Sequence, residues 1–195
     1  MCRKLVSFAV VFLSLSIVSI ACAGLPEGAA AYTKGEYARA YSELKPLAEH
    51  GNAEAQWYLG VMRHDGQGVP QDYGEAVKWF WKAVEQGYAK AQYNLGVMYR
   101  RGQGVQQDNA EAVKWYRKAA EQGLADAQFN LGVMYAEGQG VQRDFVQAHM
   151  WFDLAAASGD SSARRDREII AAKMTPSQIA DAQRLAREWK PKGRD

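Results

Sequence analysis

The chain repeats itself at a fixed interval, and that interval dictates its architecture. Leu59-Gly60 recurs as Leu95-Gly96 and Leu131-Gly132, 36 residues apart each time. Trp79, Trp115 and Trp151 keep the same offset, as do Gly51, Gly87, Gly123 and Gly159. A period of this length marks a solenoid of small supersecondary units, none of which buries its own apolar face unaided. Solenoids mostly serve as binding surfaces, so the repeat points towards recognition rather than catalysis.

The middle unit, Tyr88 to Gly123, predicts two helices. Ala91, Leu95 and Met98 lie at helical spacing within a first helix over 89–100. Gly102-Gln103-Gly104 stops that helix, because glycine tolerates the left-handed conformation a helix end often needs. Val105 is expected to plug the turn. Asp108 is expected to cap the second helix, with Glu111 closing a capping box three residues on. Asp72 with Glu75, and Asp144 with Gln147, repeat the device. Ala112, Trp115, Tyr116 and Ala119 form the apolar face of the second helix. Gly60, Gly96 and Gly132 fall in mid-helix, where glycine costs about 1 kcal/mol relative to alanine. Close approach of a neighbouring helix would offset that cost, with Ala83, Ala119 and Ala155 as the expected facing residues.

These residues carry a family resemblance. The pattern AQxxLGxMY, then GQGV, then D, then AVKWYRKAAEQG resembles the Sel-one-like repeat, a relative of the tetratricopeptide repeat with a slightly longer unit. Three units match, at 52–87, 88–123 and 124–159. The resemblance implies an all-α fold, a right-handed superhelical solenoid of antiparallel helix pairs with helical caps. Arg63 departs from the pattern, standing where the other units have Tyr99 and Tyr135, and suggests an edge of the packed array.

Both ends read as caps. Residues 24–51 form an N-terminal half-repeat, with a shortened helix over 25–34 and a second over 36–51 in which Pro46 is expected to kink the helix or begin a new one. Residues 160–195 form a C-terminal cap. Ser162 to Lys173 is a degraded first helix without the Leu-Gly pair. Thr175, Pro176 and Gln178 start a last helix over 176–189 with a cap, a first-turn proline and a capping-box partner. The tail from Pro191 to Asp195 is expected to fray.

Residues 1–23 read as a secretory signal peptide: Arg3 and Lys4, an apolar run from Leu5 to Ile20, then Ala21-Cys22-Ala23. The run is shorter than the roughly 20 apolar residues a membrane span needs. Cys22 also stands where a bacterial lipoprotein signal would place its lipid-bearing cysteine, although Ser19 fits that motif poorly. The expected destination is therefore the periplasm, with lipid anchoring at Cys22 or secretion as alternatives. Both cysteines, Cys2 and Cys22, fall within this leader, so a product starting at Gly24 has no thiol and no disulfide. Without Arg3 and Lys4, basic and acidic residues are equal in number. That balance argues against nucleic acid or an anionic membrane as the main partner.

Catalytic and metal-binding patterns are not apparent. His50, His64 and His149 have no metal-ligand spacing with one another. Ser158, Asp160 and Ser161 read as turn and capping residues. Gly66-Gln67-Gly68 follows a helix rather than a strand, unlike a phosphate loop. No cofactor and no enzymatic activity are expected.

One constellation suggests binding. At about 100° per residue, Glu54, Trp57, Val61 and His64 form a stripe opposite the inward-facing Ala55, Leu59 and Met62. Its copies are Lys90, Tyr93, Val97 and Arg100, then Asp126, Phe129, Val133 and Ala136. In tetratricopeptide-like arrays the first helices line the concave face, so the resemblance implies a groove floored by Trp57, Tyr93 and Phe129. Aromatic side chains favour such anchor roles. Packing of the same aromatics against adjacent helices is the other reading, and the sequence leaves both open.

The expected function is a non-enzymatic adaptor of the bacterial cell envelope, holding a peptide or protein segment in that groove. The alternative is an envelope protein that binds cell-wall fragments or binds or hydrolyses β-lactams. Some cysteine-rich relatives have been described that way, but this chain lacks their cysteine pairs. Self-association through an imperfect cap is a third possibility.

Overall fold

The computed structural model describes residues 24–193. The expected leader, with Cys2 and Cys22, lies outside the described residues. All regular structure described is helical: α1 (Leu25–Thr33), α2 (Tyr37–Glu49), α3 (Ala53–Asp65), α4 (Tyr73–Glu85), α5 (Ala89–Arg101), α6 (Asn109–Glu121), α7 (Ala125–Glu137), α8 (Phe145–Ala157), α9 (Ser161–Ala171) and α10 (Pro176–Glu188). The starts of α3, α5 and α7 are 36 residues apart, as are those of α4, α6 and α8. The fold is all-α, as the repeat predicts. The chain divides into two compact units, one up to Ala83 and one from Val84.

In the first unit α1 packs on α2 and α2 on α3. Leu44, Leu59 and Met62 are fully buried at its centre, with Ala40 and Ala55 between them. Pro46 lies in the last turn of α2, and the helix runs unbroken to Glu49. No new helix begins there: Pro46 forfeits one ladder bond and the same helix continues past it. The Pro46 carbonyl still accepts from the His50 N–H at 3.0 Å.

In the second unit α5 pairs with α6, α6 packs on α7, α7 pairs with α8, and α9 and α10 both pack against α8. Leu95 and Met98 of α5 and Leu131 and Met134 of α7 are buried.

The mid-helix glycines receive aromatic rings rather than alanines. A Cβ on Gly60 would stand 2.4 Å from Phe80, one on Gly96 2.6 Å from Tyr116, and one on Gly132 2.7 Å from Phe152. The missing side chain leaves a notch in the helix surface, and a flat ring fills it with more contact than a methyl could supply. Phe80, Tyr116 and Phe152 are all essentially buried. Ala83, Ala119 and Ala155 are buried too, but they are not the groups that occupy the notches.

The aspartate caps form, whereas the capping boxes expected at Glu75 and Glu111 do not. Asp108 Oδ1 accepts from the Ala110 and Glu111 N–H groups at 2.8 and 3.0 Å, Asp144 caps α8 in the same way, and Asp72 Oδ1 accepts from the Glu75 N–H. A box needs the cap residue's own N–H, and here the preceding helix already uses it. Asp72 N–H donates to the Arg63 carbonyl, Asp108 to Tyr99 and Asp144 to Tyr135, at 2.8 to 3.0 Å. The Glu75 and Glu111 carboxylates pair instead with Lys78 and Lys114. Thr175 has no such competitor, and its box with Gln178 is complete.

Beyond the third unit the chain departs from the repeat at identifiable residues. Arg167 and Glu168 stand 36 residues after Leu131 and Gly132, so α9 has no notch for an aromatic. Arg167 pairs with Asp153 of α8. The tail is tied down through Lys192, contrary to the expected fraying. Trp189 lies 6.4 Å from Trp151. Lys192 donates its N–H to the Glu121 carbonyl at 2.8 Å and places its ammonium 2.9 Å from the Glu121 carboxylate. The register explains the role of Trp189. Lys82 covers Trp79 and Lys118 covers Trp115 at 4.0 and 4.3 Å. The third unit has Leu154 at that position, and Trp189 packs beside Trp151.

Candidate functional site

Each stripe residue has a defined setting within its own unit. In the first unit the Trp57 ring lies 4.6 Å from that of Tyr58 and packs, half-buried, on the core. Glu54, Val61 and His64 are half-buried. His64 Nδ1 is 2.5 Å from Asp65 Oδ1, and its ring is 5.2 Å from that of Tyr73.

In the second unit the stripe aromatics rest beside the rings that fill the notches. Tyr93 lies 5.8 Å from Tyr116, and Phe129 lies 5.7 Å from Phe152. Both are half-buried. Burial pushes the Tyr93 phenol above its ordinary value, with the Asp126 carboxylate adding to the effect. Burial likewise pushes Tyr116 up to about 12. Val97 and Val133 are half-buried, while Lys90 and Asp126 are exposed. Asn130 joins the two helices: its Oδ1 accepts from Arg100 at 3.3 Å, and its Nδ2 donates to the Asp126 carbonyl at 2.8 Å.

The stripe extends one step beyond the three repeats. Ile169 stands 36 residues after Val133, continuing the series Val61, Val97, Val133. With Val133, Ala136 and Phe152 it borders a hollow of about 320 Å³. The sequence carried this signal in the register, masked by the loss of the Leu-Gly pair in α9.

The loops that superficially resemble phosphate loops have a packing role. In the first and third of these loops the second glycine meets the start of an earlier helix: a Cβ on Gly68 would lie 2.8 Å from the Tyr37 backbone, and one on Gly140 2.2 Å from the Asn109 carbonyl oxygen.

Among the polar groups, Gln122 forms a bridge that its third-unit counterpart cannot. Its Nε2 donates to the Gly87 carbonyl at 2.9 Å and to Gln92 Oε1 at 2.8 Å. The equivalent position in the third unit is Ser158, and the equivalent acceptor, Gln128 Oε1, is buried without a hydrogen bond. A serine hydroxyl is too short to reach it. Ser158→Gln is therefore expected to stabilise the protein by about 1 kcal/mol, or roughly 2–4 °C in melting temperature. A thermal melt checks it, and an unchanged midpoint would refute the bridge.

The histidines act separately. His50 Nδ1 bonds the Pro46 carbonyl. His149 is 3% exposed, and its Nδ1, which makes no hydrogen bond, lies 3.6 Å from Asp153, itself paired with Arg167. Burial holds His149 below the usual 6.5, outweighing Asp153. The unfolded chain then takes up this proton at a higher pH than the folded one, so stability falls as pH drops from 6.5 through the lowered value. His149→Leu is expected to flatten that part of a melting-temperature-against-pH curve. A variant with an unaltered slope would exclude His149 as its source.

Among the described residues no helix is long and apolar enough to cross a membrane, and no group of three or more His, Cys, Asp or Glu side chains could hold a metal ion.

Comparison with known proteins places this architecture. Among proteins of curated function, none matches the sequence. A family model described as the Sel1 repeat matches residues 53–88, 89–124 and 125–160. Solved structures resembling the chain include a Sel1 repeat protein from Oxalobacter formigenes, 39% identical with a TM-score of 0.70, covering 74% of this chain and 60% of that one. A protective antigen present in uropathogenic Escherichia coli strains, displaying an SLR fold, is 40% identical with a TM-score of 0.72 and covers 77% of this chain and 32% of that one. The chain thus spans less than two thirds of either neighbour. Three successive matches to one family model, on helices that repeat at the same interval, establish that the chain belongs to the Sel1 repeat family.

Proposed function

We propose that this chain is a non-enzymatic interaction scaffold of the bacterial cell envelope, holding a peptide or protein segment on its first-helix stripes. Sel1 repeat proteins are generally protein–protein interaction scaffolds. The envelope assignment rests on Arg3, Lys4 and the apolar run that follows them.

One observation carries the binding reading. Tyr93 and Phe129 pack against Tyr116 and Phe152 and yet are only half-buried. Aromatics fixed in advance lose little conformational freedom on binding, which makes them effective anchors. Lys90 and Asp126 are exposed on the same helices and offer charge to orient a bound segment. Trp57, with His64 and Glu54 on its helix, provides the corresponding surface of the first unit.

The test is affinity capture from envelope extracts, comparing the protein with a Lys90→Glu, Asp126→Lys double variant and with Tyr93→Ala. The charge substitutions alter exposed groups and should leave the melting temperature unchanged. A partner retained by the parent and weakened by both variants supports the stripe. Equal capture by all three assigns the partner to another surface.

A further inference from the structure

We propose that the exposed face of α9 joins two copies of this chain about a two-fold axis, the Ile169 side chain of each entering the hollow of the other. This goes beyond the scaffold reading and does not depend on it.

The hollow of about 320 Å³ is bordered by Val133 and Ala136 of α7, Phe152 of α8 and Ile169 of α9, and α10 contributes nothing to its lining. A helix beyond the last repeat of an array is expected to turn a polar surface outward. Ile169 does the opposite: it is 52% exposed, and with Trp81 it forms the pair of exposed large hydrophobic residues among those described. Ile170, next to it, is buried in the contact with α8, so Ile169 is not needed to hold α9 in place. An apolar knob thus stands beside an apolar hole.

A knob and a hole on one face meet the condition for an isologous contact, in which each copy offers what the other receives. The rim has the same property. Glu137 and Asp166 are acidic, Arg143 and Lys173 are basic, and all four border the hollow. A uniformly charged segment would meet attraction and repulsion there in equal measure. A second copy presents its acids to these bases and its bases to these acids, so both signs are matched at once. A face centred on one helix buries less than a standard interface, so the association is reversible and weak.

The test is sedimentation equilibrium on the purified protein from about 1 μM to about 1 mM. A concentration-dependent monomer–dimer equilibrium is expected. Ile169→Asp should weaken it by roughly tenfold or more through loss of the buried side chain. Circular dichroism melts should show the variant folded as the parent is. If the new charge perturbs α9, Ile169→Ser removes the same apolar surface without it. A protein that remains monomeric throughout overturns the proposal and assigns the hollow to a different occupant, such as a peptide. A dimer that neither substitution weakens also overturns it. Because the readout is oligomeric state, it stands or falls separately from partner capture.

Discussion

Gly96→Leu is expected to destabilise the second unit by more than about 3 kcal/mol, beyond the ordinary penalty for overpacking a core. Its Cβ alone would stand 2.6 Å from the Tyr116 ring, and the remaining three carbons would extend into the same ring. Tyr116 cannot retreat, being 1% exposed and enclosed by the core of α6 and α7. Leucine is the better helix former by close to 1 kcal/mol, which acts in the opposite direction and is outweighed. Urea denaturation followed by circular dichroism measures the loss. Adding Tyr116→Ala to Gly96→Leu empties the notch, so the double variant should lose less than the sum of the single losses. Strict additivity would mean that the ring is not what the glycine accommodates.

Gly140→Ala should cost about 2–4 kcal/mol, from two sources that can be separated. The backbone at Gly140 has φ +66°, which an alanine adopts only with strain. The new Cβ would also lie 2.2 Å from the Asn109 carbonyl oxygen and 2.6 Å from the Ala110 nitrogen. Backbone atoms at a helix start cannot swing aside as a flexible side chain can, so the 138–144 loop must lift from α6. Gly87→Ala isolates the first source, since Gly87 has φ +75° with nothing within 4 Å of its would-be Cβ. Thermal melts of the two variants should differ by at least about 1 kcal/mol, the close approach accounting for the excess. Equal losses would reduce the role of Gly140 to its backbone conformation.

Both predictions concern contacts between elements, and there the amino-acid pattern was least informative. The helices were legible because their determinants are local. The 3.6-residue spacing of Ala91, Leu95 and Met98, the glycine stops and the aspartate caps act within a few residues of one another. The same logic identified mid-helix glycine as a mark of close approach, but it named the alanines as the facing residues. An alanine makes that approach easiest for the backbone, whereas the folded protein gains more by seating a ring. The expected capping boxes failed for a related reason. Asp108 and Glu111 have the right spacing, but the N–H the box requires is taken by the Tyr99 carbonyl of the preceding helix. Thr175 and Gln178 share the spacing without that competitor, and there the local reading held.

The candidate site divides along the same line. Sequence periodicity was enough to set Tyr93 with Val97 and Phe129 with Val133 on one stripe, because angle around a helix follows from residue number alone. It could not say that Tyr93 leans on Tyr116 and Phe129 on Phe152, which takes the packing of α5 on α6 and of α7 on α8. Nor could it say that Asn130 ties α7 to Arg100, or that Trp189 packs by Trp151 while Lys192 ties the tail to Glu121. Ile169 lies between these cases: its register was written in the chain, but its exposure beside a hollow emerged only when α9 and α10 both packed against α8. The sequence by itself determined the repeat, its helices and their family, since periodicity, caps and breakers act over a few bonds. The tertiary structure alone decided which side chain fills each notch, which donors are already used and which apolar residue is left at the surface. Those outcomes depend on competition among groups distant in the chain, which no local pattern encodes.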